Sequence, residues 1–320
     1  AILALKPCLL FLITLLGWYV RFIINIGPNT NSSYISQLFT WDLMKIVTKT
    51  NELNSILRAV KDSRKLIGLV LTMGNIHQGH LSLVKEAKNA NDFVLATIFI
   101  NPTQFNNESD YNSYPQTLEN DIEKLEYLNC DLLYMPKIND VYPNGLIKEK
   151  SILKYRDILC DKFRPGHFDG VTTVVNTFFN IIKPNNSYFG EKDFQQLKFI
   201  DELVNVNNHK INIIPCSSVR DDQGMSLASR NSKFNEYESK IFNQLAGKIS
   251  KLINLLKQKN SKDHLGDFIK DLSKINIHKV DYCEIRDEEE LKITNDFSKA
   301  RLFIALYIDQ IRIIDNFKLY

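Results

Sequence analysis

The sequence predicts an α/β fold: a parallel sheet with helices on both faces, followed by a smaller α+β C-terminal domain. Three observations carry this. Continuous apolar runs, Leu66–Leu71 (LIGLVL) and Phe93–Ile100 (FVLATIFI), suit strands buried on both faces. Amphipathic stretches of helical period separate such runs. Near Ile211–Cys216 the rhythm changes to long helices followed by strands.

In chain order, Leu66–Leu71 is the first buried strand. Leu81–Ala90 carries Leu83, Val84 and Ala87 at helical spacing, with Lys85 and Glu86 facing outward. Phe93–Ile100 is the second strand, ended by Pro102, which has no N–H for the ladder. Leu118–Leu128 is an acidic amphipathic helix with Leu118, Ile122 and Leu125 on one face. Asp131–Met135 is a third strand, Val171–Ile182 a helix and Ser187–Phe189 another short strand. Past a polar turn (Asp221, Asp222, Gln223, Gly224), a long helix is expected from about Asn235 to Lys259. A second helix follows, then strands at Lys279–Ile285, Ala300–Ile308 and Arg312–Ile314.

Composition narrows the function. The chain has 320 residues, 44% of them hydrophobic and 24% charged, which suits about two ordinary domains and excludes wholesale disorder. A net charge of +3 gives no argument for a nucleic-acid partner. The 5 cysteines are scattered and form no C-x-x-C pair, which argues against a disulfide framework or a zinc site and fits a reducing compartment.

The first forty residues stand apart. Cys8–Val20 (CLLFLITLLGWYV) is apolar but shorter than the ~20 residues that cross a bilayer. Arg21 interrupts it before Phe22–Ile26, and no small-residue cleavage site follows. Met44 opens a well-formed segment. The expected division is a leader over 1–43, a parallel-sheet domain over 44–217 and a smaller α+β domain over 218–320. The leader is read as upstream of the true start or as a targeting segment. Membrane contact is expected only if residues 8–26 are retained.

The sharpest local feature is Thr72–His80 (TMGNIHQGH), directly after the first strand. Its two histidines are three apart, on one side of a helical turn. Gly74 and Gly79 leave room for a ligand against the backbone. The following helix points its free N–H groups and positive dipole end to the same place, an anion site for which phosphate is the usual guest. No third ligand lies at metal spacing, so no metal site is expected.

Asn101 and Gln104 follow the second strand, where polar amides face the ligand crevice. Gly190–Gln196 (GEKDFQQ) puts Lys192 and Asp193 at a helix start with Gln196 one turn on. Ser226–Asn231 (SLASRN) brings Ser229 and Arg230. Arg164–Gly170 (RPGHFDG) reads as an ordered loop in which His167 is structural. Each segment alone also fits an ordinary surface loop; together they point to nucleotide chemistry on a small substrate.

TMGNIHQGH, IFINPTQF, YPQTLENDIEKL, GHFDGVTTVV, YFGEKDFQQL, SLASRN, DYCEIRD and RIIDN occur in this order. The series resembles the pantoate–beta-alanine ligase family, within the H-x-G-H nucleotidyltransferases, from about Met44 to Asn316. The resemblance implies that 44–217 is a Rossmann-like nucleotide-binding domain and 218–320 a small lid-like domain. It implies an ATP-dependent condensation of (R)-pantoate with beta-alanine to pantothenate, a coenzyme A precursor. The reaction would pass through pantoyl adenylate, releasing pyrophosphate and AMP. Magnesium with the ATP, a homodimer and a cytoplasmic location are implied as well.

Carried onto this chain, the family pattern gives an ATP site at Met73, Gly74, Asn75, Ile76, His77, Gln78, Gly79 and His80. His80 would be the proton donor, and His77 would hold phosphates. Gly190, Glu191, Lys192 and Asp193 form the second ATP loop. Val219 is an adenine-side backbone contact. Leu227, Ala228, Ser229 and Arg230 form a loop over the triphosphate. Lys192 and Arg230 join the histidines as catalytic groups. Gln104 and Gln196, with Asn101, would bind pantoate, and Gln104 also beta-alanine. Three departures stand out: Ala228 where the pattern has serine, Phe194 where tyrosine is common, and Asn120 in place of a frequent acid. The last gives no support to a metal role for that helix.

Overall fold

The computed structural model describes residues 44–229, 234–259 and 262–320. The expected leader and Arg230 lie outside the described residues. Met44–Tyr320 forms one compact unit.

Six parallel strands make the larger sheet: β1 (Lys45–Val47), β2 (Ile67–Thr72), β3 (Phe93–Ile98), β4 (Leu132–Tyr134), β5 (Asn186–Gly190) and β6 (Asn212–Cys216), in the order β1-β4-β3-β2-β5-β6. Helices cover both faces, as the apolar runs require. Ile67, Leu69, Leu95 and Leu132 enter one core; Val70, Val94, Ala96 and Leu133 enter a separate core. The two-residue alternation of a strand sends successive side chains into these two cores.

Two elements precede the first expected strand: β1 and the Thr50–Asp62 helix. β1 is only three residues long and buries Val47 alone, too little pattern to read. The helix shows itself mainly through Leu53 and Leu57, four apart. β6 was also not expected. Pro215 sits in it, tolerated because β6 is an edge strand.

The helix expected from Val171 begins at His167, after Gly166 turns with φ 73°. It crosses the short turn Pro102–Gln104 so closely that a Cβ on Gly170 would lie 2.4 Å from the Thr103 carbonyl oxygen. Only glycine permits that approach.

The C-terminal part holds helices Glu236–Lys259 and His264–Leu272 and an antiparallel sheet of β7 (Val280–Asp287), β8 (Ala300–Ile308) and β9 (Ile311–Lys318). One face of this sheet packs on its own helices through Cys283, Ile285, Leu302 and Ile304. The other sends Tyr282, Phe303 and Ala305 into the core beside the large sheet. Among the described residues, no helix is long and apolar enough to cross a membrane.

Replacing Gly170 by alanine should therefore destabilise the chain by about 1–3 kcal/mol, because backbone must move to admit the methyl. Urea denaturation measures this; an unchanged midpoint would contradict the close approach.

Candidate active site

From β2 the chain steps outward through β3 and β4, then returns to the other side of β2 with β5 and β6. The strand order thus reverses between β2 and β5, and ligands bind outside the carboxyl ends of strands at such a switch point. The β2–β5 pairing, Gly68 with Asn186 and Leu69 with Ser187, brings Met73–His80 beside Gly190–Asp193.

A cavity of about 320 Å³ opens at this point. Its wall includes Met73, His77, Gly79 and His80 after β2, and Asn101 and Gln104 after β3. Gly190, Lys192, Asp193 and Gln196 join from β5 onward. Val219, Leu227, Ala228 and Ser229 close it from the following hairpin. Of the residues expected at the ATP site, Gly74, Asn75, Ile76, Gln78 and Glu191 are not in the wall; Ile76 is buried beneath it.

The histidine turn is locally determined. His77 caps the Gln78–Ala90 helix, its Nδ1 accepting the Gly79 N–H at 3.1 Å. The His80 Nδ1 accepts the His77 N–H at 3.4 Å. Each backbone donor occupies Nδ1, so the ring proton sits on Nε2 in both residues. The rings lie 4.2 Å apart. Burial, then Lys192 and Lys124, push His77 down to about 4. Burial, then His77, Lys192 and Lys124, push His80 to about 3. Both imidazoles are therefore neutral at pH 7. The two rings present neutral N–H donors rather than positive charge.

The Gln104 side chain is held at both ends. Its Oε1 accepts from Asn101 Nδ2 at 3.0 Å, and its Nε2 meets Met73 Sδ at 2.9 Å. Its backbone carbonyl accepts from His167 Nδ1 at 2.7 Å, and Arg164 Nη1 lies 3.0 Å from the His167 Nε2. Asn101 is 1% exposed, and its Oδ1 already accepts from Thr103 and Tyr142. Through its Nδ2 it also orients the Gln104 side chain. His167, expected to be structural, also reaches the cavity wall.

The second loop depends on residues to which sequence reasoning gave no role. Asn316 Nδ2 donates to the carbonyls of Glu191 and Lys192 at 2.8 and 2.9 Å. Arg301 donates to Asn316 Oδ1 at 2.7 Å, pairs with Glu191 at 3.1 Å and lies over the Phe194 ring. Buried Asp315 accepts from the Ser226 N–H and hydroxyl at 2.8 and 2.7 Å and pairs with Arg220 at 3.1 Å. β8 and β9 thus brace both the Lys192 loop and the start of the covering loop. The only signal for this was RIIDN in the motif series.

Among the described residues, no group of three or more His, Cys, Asp or Glu could hold a metal. Asp193 is the one carboxylate in the described cavity wall. That donor set suits an ion carried in on phosphates with a mostly aqueous shell, not a protein-built cage.

The model of the pantoate–beta-alanine ligase family matches residues 45–318. A pantothenate synthetase of Thermosipho africanus is 38% identical over 278 residues, covering 85% of this chain and 99% of that protein. One from Francisella philomiragia is 40% identical over 273 residues, covering 85% and 97%. The crystal structure of the Francisella tularensis pantoate–beta-alanine ligase, complexed with beta-gamma ATP and beta-alanine, superposes with a TM-score of 0.75 at 36% identity. It covers 86% of this chain and 98% of that one. The Thermus thermophilus pantothenate synthetase gives a TM-score of 0.78 at 31% identity, covering 87% and 100%. With the family model matching 45–318 and the fold, the switch-point cavity and these likenesses in agreement, the chain belongs to the pantoate–beta-alanine ligase family.

Proposed function

We propose that this cavity condenses pantoate with beta-alanine at the expense of ATP, through a pantoyl adenylate. One observation carries the reading: the two phosphate-compatible loops and the two glutamines, Gln104 and Gln196, share a single wall. ATP lies along Met73–His80 and Gly190–Asp193, with its adenine side near Val219. Pantoate lies against Gln104 and Gln196. Its two methyl groups suit the apolar part of the wall, which includes Leu71, Val171, Val174 and Phe178.

The pantoate carboxylate is ionised at pH 7 and needs no base to attack the α-phosphorus. The work of the protein is to align reactants and to stabilise charge on the departing pyrophosphate. Lys192 supplies positive charge there, with Arg230 from the covering loop. His77 and His80 add Nε2–H hydrogen-bond donors, and His80 serves as the proton donor in its imidazolium form, which bound phosphate favours. The bound triphosphate raises both imidazole pKa values. Asp193 would hold magnesium brought in on the ATP phosphates, and the ion would there neutralise phosphate charge. Beta-alanine enters beside Gln104, and its neutral amine attacks the acyl carbon, releasing AMP. The 218–320 region serves as a lid that keeps water from the anhydride. The active form is a homodimer without nucleic acid. The buried free thiols of Cys130, Cys160, Cys216 and Cys283 support a cytoplasmic location.

The purified chain should form pantothenate, AMP and pyrophosphate only when ATP, pantoate and beta-alanine are all present. Exchange of labelled pyrophosphate into ATP should require pantoate. Exchange driven by a different acid would overturn the reading. Lys192→Met should lower kcat about 10²–10³-fold, whereas Gln196→Ala should raise the KM for pantoate about tenfold.

Restoring the hydroxyl by Ala228→Ser should improve kcat/KM for ATP by about 2–10-fold, the effect of one net hydrogen bond; a loss of activity would remove this loop from phosphate binding.

Heteronuclear NMR should find the His77 and His80 rings unprotonated from pH 8 down to 5. Their folded-state pKa values lie below the unfolded value, so the unfolded chain binds more protons from about pH 6.5 down to about 4 for His77 and about 3 for His80. Stability therefore falls as pH falls through that window and is unaffected by these groups above it. Ring titration near pH 6.5 in the ligand-free protein would contradict the burial assigned to them.

A further inference from the structure

The turn that carries the two histidines is fastened from behind by the Leu118–Tyr127 helix. Gly74 and Asn75 both have positive φ, 81° and 49°, which turns the following amides to one side. Such consecutive backbone donors form a concave anion site. Here the anion belongs to the protein. Asp121, 1% exposed, accepts the Asn75 N–H at 2.8 Å through Oδ2 and the Ile76 N–H at 2.7 Å through Oδ1. Thr117 Oγ1 also donates to Oδ1, at 3.1 Å. Lys124, one turn on, donates to the Ile76 carbonyl. The same peptide segment is thus gripped at donors and acceptor by one helix.

We propose that Asp121 and Lys124 are positioning residues for ATP. Asn75 holds a left-handed conformation that costs a residue with a Cβ free energy, and the carboxylate offsets that cost. With the turn fixed, the Nε2–H groups of His77 and His80 are set for the triphosphate before it arrives. The Asn75 and Ile76 amides, spent on Asp121, are not phosphate ligands. The Asn75 side chain instead reaches the Ser229 carbonyl at 3.4 Å, so the same clip anchors the covering loop.

The proposal rests on the reading of the cavity as an ATP site. Asp121→Asn keeps the volume but loses the charge and one acceptor; Lys124→Met removes the other grip at a partly exposed position. Both variants of the full chain are compared with the unmodified chain in pantoate-dependent pyrophosphate exchange, steady-state kinetics, thermal melting and NMR of the histidine rings. The expected result is a KM for ATP raised about tenfold or more in Asp121→Asn and severalfold in Lys124→Met. The KM for beta-alanine should stay unchanged, and the His77 and His80 resonances should shift. A folded Asp121→Asn with unchanged KM for ATP overturns the proposal. So does a fall in kcat alone with unmoved histidine resonances. If Asp121→Asn does not fold, Lys124→Met decides by the same two readouts. Failure of the unmodified chain to show pantoate-dependent exchange would instead overturn the ATP reading itself.

Discussion

The site depends on the pairing of β2 with β5. Ser187 donates its hydroxyl to the Leu69 carbonyl across a sequence separation of 118 residues, and that contact is fully buried. Parallel pairing puts both carboxyl ends on one side of the sheet, with a helix or short turn starting after each strand. The histidine turn and the lysine loop are therefore brought together by the strand pairing beneath them. Shift the register of β5, and the two halves of the anion site part.

A binding site for a triphosphate has an electrostatic difficulty: cations gathered in a partly buried cavity repel one another before the ligand arrives. This chain limits the repulsion by leaving the imidazoles neutral. Burial and the nearby lysines hold their protons off, and the cap hydrogen bonds fix which nitrogen keeps its hydrogen. Lys192 remains as a positively charged group in the described wall beside them. Its loop is held at the backbone by Asn316, and among the described residues no carboxylate pairs with the lysine, so phosphate would have none to displace.

The C-terminal sheet has more than a covering role in this arrangement. Asp315 and Asn316 are neighbours on β9, yet one holds the covering loop at Ser226 and the other holds the Lys192 loop. Both side chains are buried, and a buried carboxylate or amide left unpaired would be costly. The seating of the sheet and the shape of the candidate phosphate site are therefore linked.

The pattern of apolar residues determined much by itself. Leu66–Leu71 and Phe93–Ile100 had to be two-sided strands, and Leu83, Val84 and Ala87 had to face a core, because hydrophobic period is a local property of the chain. The motif series also marked His77, His80, Lys192 and the glutamines. What short-range pattern does not carry, the sequence did not show. β1 is too short, β6 contains a proline, and Asn101 has the same amide whether it reads a ligand or orients Gln104. The protonation of the histidines was decided by burial and by lysines distant in sequence. The roles of Asp121, Asp315 and Asn316 arise from contacts across 45 to 125 residues. Periodicity is written in neighbouring residues, whereas desolvation, charge proximity and hydrogen-bond partnership exist only once the chain has folded back on itself.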